Sequence, residues 1–238
     1  MANAPPRSTT LSFYSLAYQH SAAFMIDDAS PFLRVQPTEA KGAHRLELIL
    51  DATAALIDES GYASLSIAAI AKRCEMSGPG VYRYFKDLTA IARALASRNL
   101  DRFVATVNSL LSDDDVEWQD ALRTVVQAYC SMLRSEPGFR WLRLGDAIDR
   151  FLVSSESSNR LIVAQQTAAL FVQRYDVDFR PDLVEHVEVL VEVSDALLAR
   201  AFQSDPNGDQ YFIDACTEIV IRYLDDYLAK PYDKPNPQ

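Results

Sequence analysis

The chain has 238 residues and a formal net charge of −10, with 49% hydrophobic and 24% charged residues. That balance excludes a disordered or collagen-like chain and leaves room for one or two domains with a real core. The acidic total argues against a general nucleic-acid coat; Cys74, Cys130 and Cys216 are odd in number and lack metal-ligand spacing, so neither a disulfide framework nor a metal cluster is expected, and no apolar run is long enough to span a membrane.

Residues 1–38 are rich in Pro, Ser, Thr and Ala and read as a flexible arm whose aromatics (Phe13, Tyr14, Tyr18, Phe24, Phe32) can dock on the body. Residues 11–26 lack the basic start and continuous apolar centre of a signal peptide. Helix 1 is predicted over about 38–60, with Leu46, Ile49, Leu50, Thr53, Ala54 and Ile57 inward and Gly61 ending it. Helix 2 is predicted over Ser66–Cys74, with Ser66 as N-cap and Ile67, Ile70 and Ala71 on one face. Ser77 caps a third helix that carries Val81, Tyr82 and Phe85 at helical spacing. Gly78-Pro79-Gly80 reads as a loop by composition, yet proline is tolerated in a first helical turn, where the N–H groups have no partner. Two short helices across a tight turn form a helix-turn-helix, whose second helix enters the DNA major groove.

From Arg45 to Leu95 the chain resembles the DNA-binding domain of TetR-family transcriptional regulators. Arg45, Ile49-Leu50, Gly61-Tyr62, Ser66-Ile67, Ile70-Ala71, Ser77 and Tyr82-Arg83-Tyr84-Phe85 carry the resemblance. Three places depart from the usual pattern: Leu65 stands for Thr, Glu75 for the glycine of the turn, and Leu88-Thr89 for Lys-Glu. That lysine is expected to touch a phosphate, so Leu88 implies one contact fewer, with Lys86 as its replacement. Ser77 and Tyr82 are expected at phosphates or base edges, Arg83 at phosphate or guanine, and Tyr84 and Lys86 at phosphates. Arg45, Ser66, Gly78, Pro79 and Gly80 complete the expected DNA face. The glycines and proline offer few hydrogen bonds to bases, so specificity is expected to rest on few direct contacts plus DNA shape. Residues 39–86 hold six bases and six acids, and residues 1–38 also balance, so the whole negative excess lies beyond residue 86. A neutral head on an acidic body suits a site-specific binder. The arm, with Arg7 and Arg34, can alternatively reach into DNA.

Helix 4 is predicted over about 88–111, broken by Asp113-Asp114-Asp115, and helix 5 over about 116–135, before Pro137-Gly138. Helices 6, 7 and 8 follow over about 139–153, 156–175 and 181–203, and helix 9 runs from about 209 to 229 after the Asp205-Pro206-Asn207-Gly208 turn. Strand-like alternation is hard to find. The expected fold is all-α with about nine helices. A three-helix DNA-binding domain spans 39–87, a ligand-binding and dimerisation domain spans 88–230, and an arm (1–38) and tail (231–238) flank them.

Helix 9 has apolar stripes at Phe212, Cys216, Ile219, Tyr223 and Tyr227 and at Ile213, Val220, Leu224 and Leu228. A helix apolar on two faces is covered on two sides, by its own core and by a partner chain, or is buried in a monomer. The resemblance implies a homodimer through helices 8 and 9, with Val187, Val191, Leu198, Phe212, Cys216, Ile219 and Tyr223 as expected contacts.

The resemblance also implies a small-molecule effector in the body, but fixes no residues for it. Local chemistry suggests Phe103, Trp118, Tyr129, Trp141 and Phe171 as walls or plain core, with Trp141 on the buried stripe of helix 6. Arg143 and Asp146 form either surface ion pairs or a polar anchor. Glu185, Glu188, Glu192 and Asp195 form either a solvated acidic stripe or a cavity anchor through Glu188 or Glu192.

His20, His44 and His186 are scattered and neither a nucleophile elbow nor a phosphate loop occurs, so no enzyme and no cofactor is expected. The expected function is a cytoplasmic, dimeric, ligand-released repressor that binds double-stranded operator DNA. The alternative is a DNA-bound architectural or partner-recruiting factor without a ligand.

Overall fold

The computed structural model describes residues 32–35, 39–111, 116–142, 159–175, 177 and 180–231. Arg143, Asp146, the rest of the helix expected to 153, Asp113-Asp114-Asp115, the arm aromatics before Phe32 and the tail from 232 lie outside the described residues. Among the described residues there are nine α-helices and no strand beyond one isolated bridge. They are α1 (Ala40–Ser60), α2 (Ile67–Arg73), α3 (Gly78–Tyr82), α4 (Leu88–Leu110), α5 (Trp118–Ser135), α6 (Phe139–Leu142), α7 (Asn159–Arg174), α8 (Leu183–Ala201) and α9 (Gln210–Leu228). The all-α expectation holds.

Local chemistry sets most of these ends. Gly61, at φ 77°, stops α1 where a side chain would be strained. The hydroxyls of Ser66 and Ser77 accept the Ala69 and Gly80 N–H groups at 3.1 and 3.2 Å, and the Asp87 carboxylate accepts that of Ala90 at 2.8 Å. Each satisfies an N–H that the helix itself leaves unpaired. At the far end of the chain, the buried Arg180 donates to the carbonyls of Tyr227, Leu228 and Lys230 at 2.7, 2.8 and 3.0 Å. One guanidinium thereby closes the C-terminus of α9.

The buried side chains fall into two clusters. One gathers Ile49, Ile57, Ile70, Val81, Phe85 and Leu95 from α1 to α4 and forms the head. The other gathers Phe103, Tyr129, Leu133, Phe139, Phe171 and Leu198 and forms the body. Two elements belong to both. Helix α4 gives Ile91 and Leu95 to the head and Leu100 and Phe103 to the body. The short α6 gives Phe139 to the body and Leu142 to the head. On the surface, Arg98 of α4 spans Glu47 and Asp51 of α1 at 2.9 and 2.7 Å. Cys130 and Cys216 are buried, and burial pushes the Cys130 thiol up to about 11, leaving it protonated at neutral pH.

Candidate nucleic-acid interface and cavity

The turn between α2 and α3 is held by the Met76 N–H bonding to the Ala71 carbonyl at 2.9 Å. Glu75 lies between them at φ 54°, in the left-handed region. That geometry suits glycine, and Glu75 adopts it at a cost of about 1 kcal/mol. Glu75 is exposed, so Glu75→Gly loses no burial. Glu75→Gly is expected to raise the unfolding free energy by about 0.5–1 kcal/mol in denaturant titration, part of the relief being offset by greater unfolded-state entropy.

Past that turn, α3 is anchored on one side and open on the other. Val81 and Phe85 are fully buried in the head core. Tyr82 is 46% exposed, and Arg83 and Lys86 are exposed beside it. Pro79 sits in the first turn, where its missing N–H costs nothing. A Cβ on Gly80 would crowd Met76 and the Ser77 hydroxyl at 3.3 Å, whereas a Cβ on Gly78 would meet nothing within 4 Å. Internal packing therefore explains the absence of a side chain at Gly80 but not at Gly78. Arg83 and Arg45 are both exposed, and neither pairs with a carboxylate among the described residues. Tyr84 requires a correction. It is 4% exposed and packed in the head core, because the chain tightens after Tyr82 and the Tyr84 N–H bonds to the Val81 carbonyl at 3.0 Å. A phosphate has no access to its ring. Ser66 is exposed, with its hydroxyl engaged as the cap of α2.

The body holds an apolar cavity of about 70 Å³ walled in part by Phe103, Leu122, Tyr129, Val191, Asp195 and Leu198. Of the expected wall or core aromatics, Phe103 and Tyr129 are on this lining. Trp118 and Phe171 pack edge to face at 6.1 Å and lie outside this lining. Trp141 is 52% exposed, with its ring beside Gly61 at the head–body junction, so it is not a cavity wall. Glu188 and Glu192 are also off the lining. The acidic group that does face the cavity is Asp195, three residues before Leu198 and so on the inward stripe of α8. It is 4% exposed and accepts a hydrogen bond from the Tyr129 hydroxyl at 2.8 Å. A carboxylate among apolar walls can hold a hydrogen-bond donor or a cation.

The expected dimer contacts divide similarly. Val187, Leu198 and Cys216 are buried within the subunit, and Val191 lines the cavity, so these four face the chain's own interior. On α9 the buried stripe is Ile213, Cys216, Val220, Leu224 and Tyr227. Ile219 is 45% exposed on the outer side, and Phe212 and Tyr223 are half-buried there.

A capped helix-turn-helix with an open recognition face, carried on a helical body with its own core, defines a helix-turn-helix transcription regulator. Residues 49–95 match the profile of bacterial regulatory proteins of the tetR family, and residues 116–228 that of the tetracyclin repressor-like C-terminal domain. A TetR-family regulator from Streptomyces coelicolor is 34% identical, with 76% of this chain and 98% of that one covered and a TM-score of 0.65. A TetR-like regulator from Rhodococcus sp. RHA1 is 21% identical, with 83% and 100% covered and a TM-score of 0.57. The uncharacterized HTH-type transcriptional regulator YobS of Bacillus subtilis (strain 168) is 26% identical over 93 residues, a segment spanning 39% of this chain and 48% of that protein. The chain belongs to the TetR family of transcriptional regulators.

Proposed function

We propose that the chain is a dimeric, sequence-specific repressor, released from its operator by a small-molecule effector and working in the cytoplasm. The observation that carries the DNA half is the division of α3 and the turn after it, with Val81 and Phe85 locked inward and Tyr82, Arg83 and Lys86 exposed. In this reading residues 39–87 bind DNA and 88–230 bind the effector and the second subunit, between an arm (1–38) and a tail (231–238). Ile219, Phe212 and Tyr223, with the exposed Val189 of α8, supply the apolar face for that subunit. Two-fold symmetry then places the recognition helices ~34 Å apart or a multiple of it, matching successive turns of DNA.

The effector half rests on the cavity. At about 70 Å³ it is far smaller than the ~300 Å³ of an ordinary ligand pocket. An effector must therefore favour a conformation with the cavity opened, and that preference is what does work on the heads. It is a mainly apolar molecule with a donor for Asp195. Tyr129 lines the cavity and packs on Phe139 of α6 with ring centroids 5.3 Å apart, and the other end of α6 sits in the head core. The smallness of the cavity also favours a second reading, a partner-recruiting factor with no ligand. A thermal-shift screen followed by operator release separates the two.

In vitro selection from random duplexes supplies the DNA. Tyr82→Ala and Arg83→Ala are expected to weaken the selected duplex about 10- to 100-fold at fixed salt, the worth of one or two base or phosphate contacts. Gly78→Ala is expected to keep or raise stability, since alanine is the better helix former by up to about 1 kcal/mol, and to weaken DNA binding by crowding the approach. Unchanged affinity in all three variants overturns the reading.

A further inference from the structure

We propose that Leu33 and Arg34 form a strap across the end of the recognition helix and, with Lys86 and Arg93, build a site for a phosphate of the DNA backbone. The proposal rests on the reading of α3 as the DNA-facing helix and adds to that face a segment outside the helix-turn-helix.

The strap is held by its main chain. Leu33 forms an antiparallel bridge with Phe85, and the Arg34 N–H donates to the Tyr84 carbonyl at 2.7 Å. The Arg34 guanidinium also reaches the Tyr82 carbonyl at 3.3 Å. Carbonyls at the end of a helix as short as α3 lack intrahelical partners, so the strap supplies the missing donors. Arg34 is thereby fixed beside the exposed Tyr82, on the edge that α3 presents.

Strap and head together enclose a cleft of about 250 Å³ lined by Phe32, Leu33, Arg34, Lys86, Ala90 and Arg93. Phe32 packs against the head core, and the Arg93 guanidinium lies 5.7 Å from its ring centroid. Three cations thus line one cleft of a chain whose net charge is −10. Asp87 lies 3.9 Å from the Lys86 ammonium, and its carboxylate also caps α4. Neither Arg34 nor Arg93 pairs with a carboxylate among the described residues. Gathered cations repel one another, and a bound anion removes that cost. Two guanidinium forks suit phosphate oxygens better than a lone ammonium. The position beside Tyr82 and Arg83 makes that anion a phosphodiester next to the groove that α3 enters.

The test measures binding of the full chain to the duplex selected by the wild type, by fluorescence anisotropy across about 0.05–0.2 M salt. Each phosphate contact contributes about 0.9 to the slope of log K against log salt. Arg34→Ala and Arg93→Ala are each expected to lower the slope by about one per head engaged, and to weaken binding about five-fold per head near 0.15 M salt. Base preference should not change, and Arg34→Lys should keep the slope. An unchanged slope and affinity in both alanine variants, with Tyr82→Ala still defective, overturns the proposal and spares the reading of α3. Equal losses in Arg34→Ala and Arg34→Lys at an unchanged slope make the strap a structural prop and also overturn it. So does inorganic phosphate that raises the Tm of the wild type but not of the arginine variants, while the salt slopes stay equal. A wild type that selects no duplex defeats the reading of α3 itself, and the phosphate site with it.

Discussion

Replacing Phe85 with alanine is expected to unfold the DNA-binding head while the body stays folded. Phe85 is fully buried and is the largest fully buried side chain of the head cluster. Truncating such a phenylalanine costs about 3–5 kcal/mol, from lost transfer energy and the cavity left behind. Whole domains are stable by only about 5–15 kcal/mol, and this head is small. Phe85 also holds the end of α3, its N–H bonding to the Val81 carbonyl at 3.1 Å, and its backbone pairs with Leu33 of the strap. Its loss therefore loosens the recognition helix and the arm together. Denaturant titration should show an early transition for the head and a later one near the wild-type midpoint for the body. Operator binding should vanish with the first. Phe85→Leu keeps most of the volume and should cost below about 1.5 kcal/mol, with binding retained. An unshifted first transition in Phe85→Ala would remove the claim that this ring organises the head.

The helix-turn-helix was legible because its signals are local. Ser66 and Ser77 cap helices within three residues of their own position, and caps of that kind can be read from neighbouring residues. The features that escaped depend on direction or on the main chain. Tyr84 looked outward beside Tyr82 and Lys86, but α3 ends at Tyr82, and beyond a helix end the period of 3.6 no longer says where a side chain points. Asp195 was visible as one of an acidic series on α8. Choosing it over Glu188 and Glu192 required knowing which stripe of that helix faces inward. The two apolar stripes of α9 were both seen, but which one the subunit buries is a tertiary fact. The period of a longer helix puts Trp141 on a buried stripe, whereas its ring stands over the head–body junction. The strap at Leu33 and Arg34 left the least trace, because a bridge uses N–H and C=O groups that nearly every residue carries.

Gly138→Val is expected to cost about 2–6 kcal/mol and to disturb the link between head and body. Gly138 has φ 74°, where a β-branched residue is strained by about 1–3 kcal/mol. A Cβ there would lie 3.1 Å from both the Cα and the carbonyl oxygen of Ala54, in the backbone of α1, which cannot turn aside as a flexible side chain can. Overpacking of this kind adds about 1–3 kcal/mol. The position matters because Gly138 opens α6, the short helix whose Phe139 is buried in the body and whose Leu142 is buried in the head. Its backbone is seated by the Trp141 and Leu142 N–H groups, both bonding to the Gly138 carbonyl at 3.1 Å. Arg140 braces the same helix, reaching the Leu133 carbonyl at 2.6 Å and that of Pro206 at 3.2 Å. Pushing α1 away from Gly138 therefore shifts the head against a body that stays packed. Chemical denaturation should show the loss of stability, and operator binding should weaken although every DNA-facing side chain is intact. Leu142→Ala attacks the same joint from the head side and should cost about 2–5 kcal/mol without backbone strain. If Gly138→Val kept wild-type stability and affinity, α6 would not be the rigid tie between the two cores, and a signal from the cavity would have to reach the head through α4.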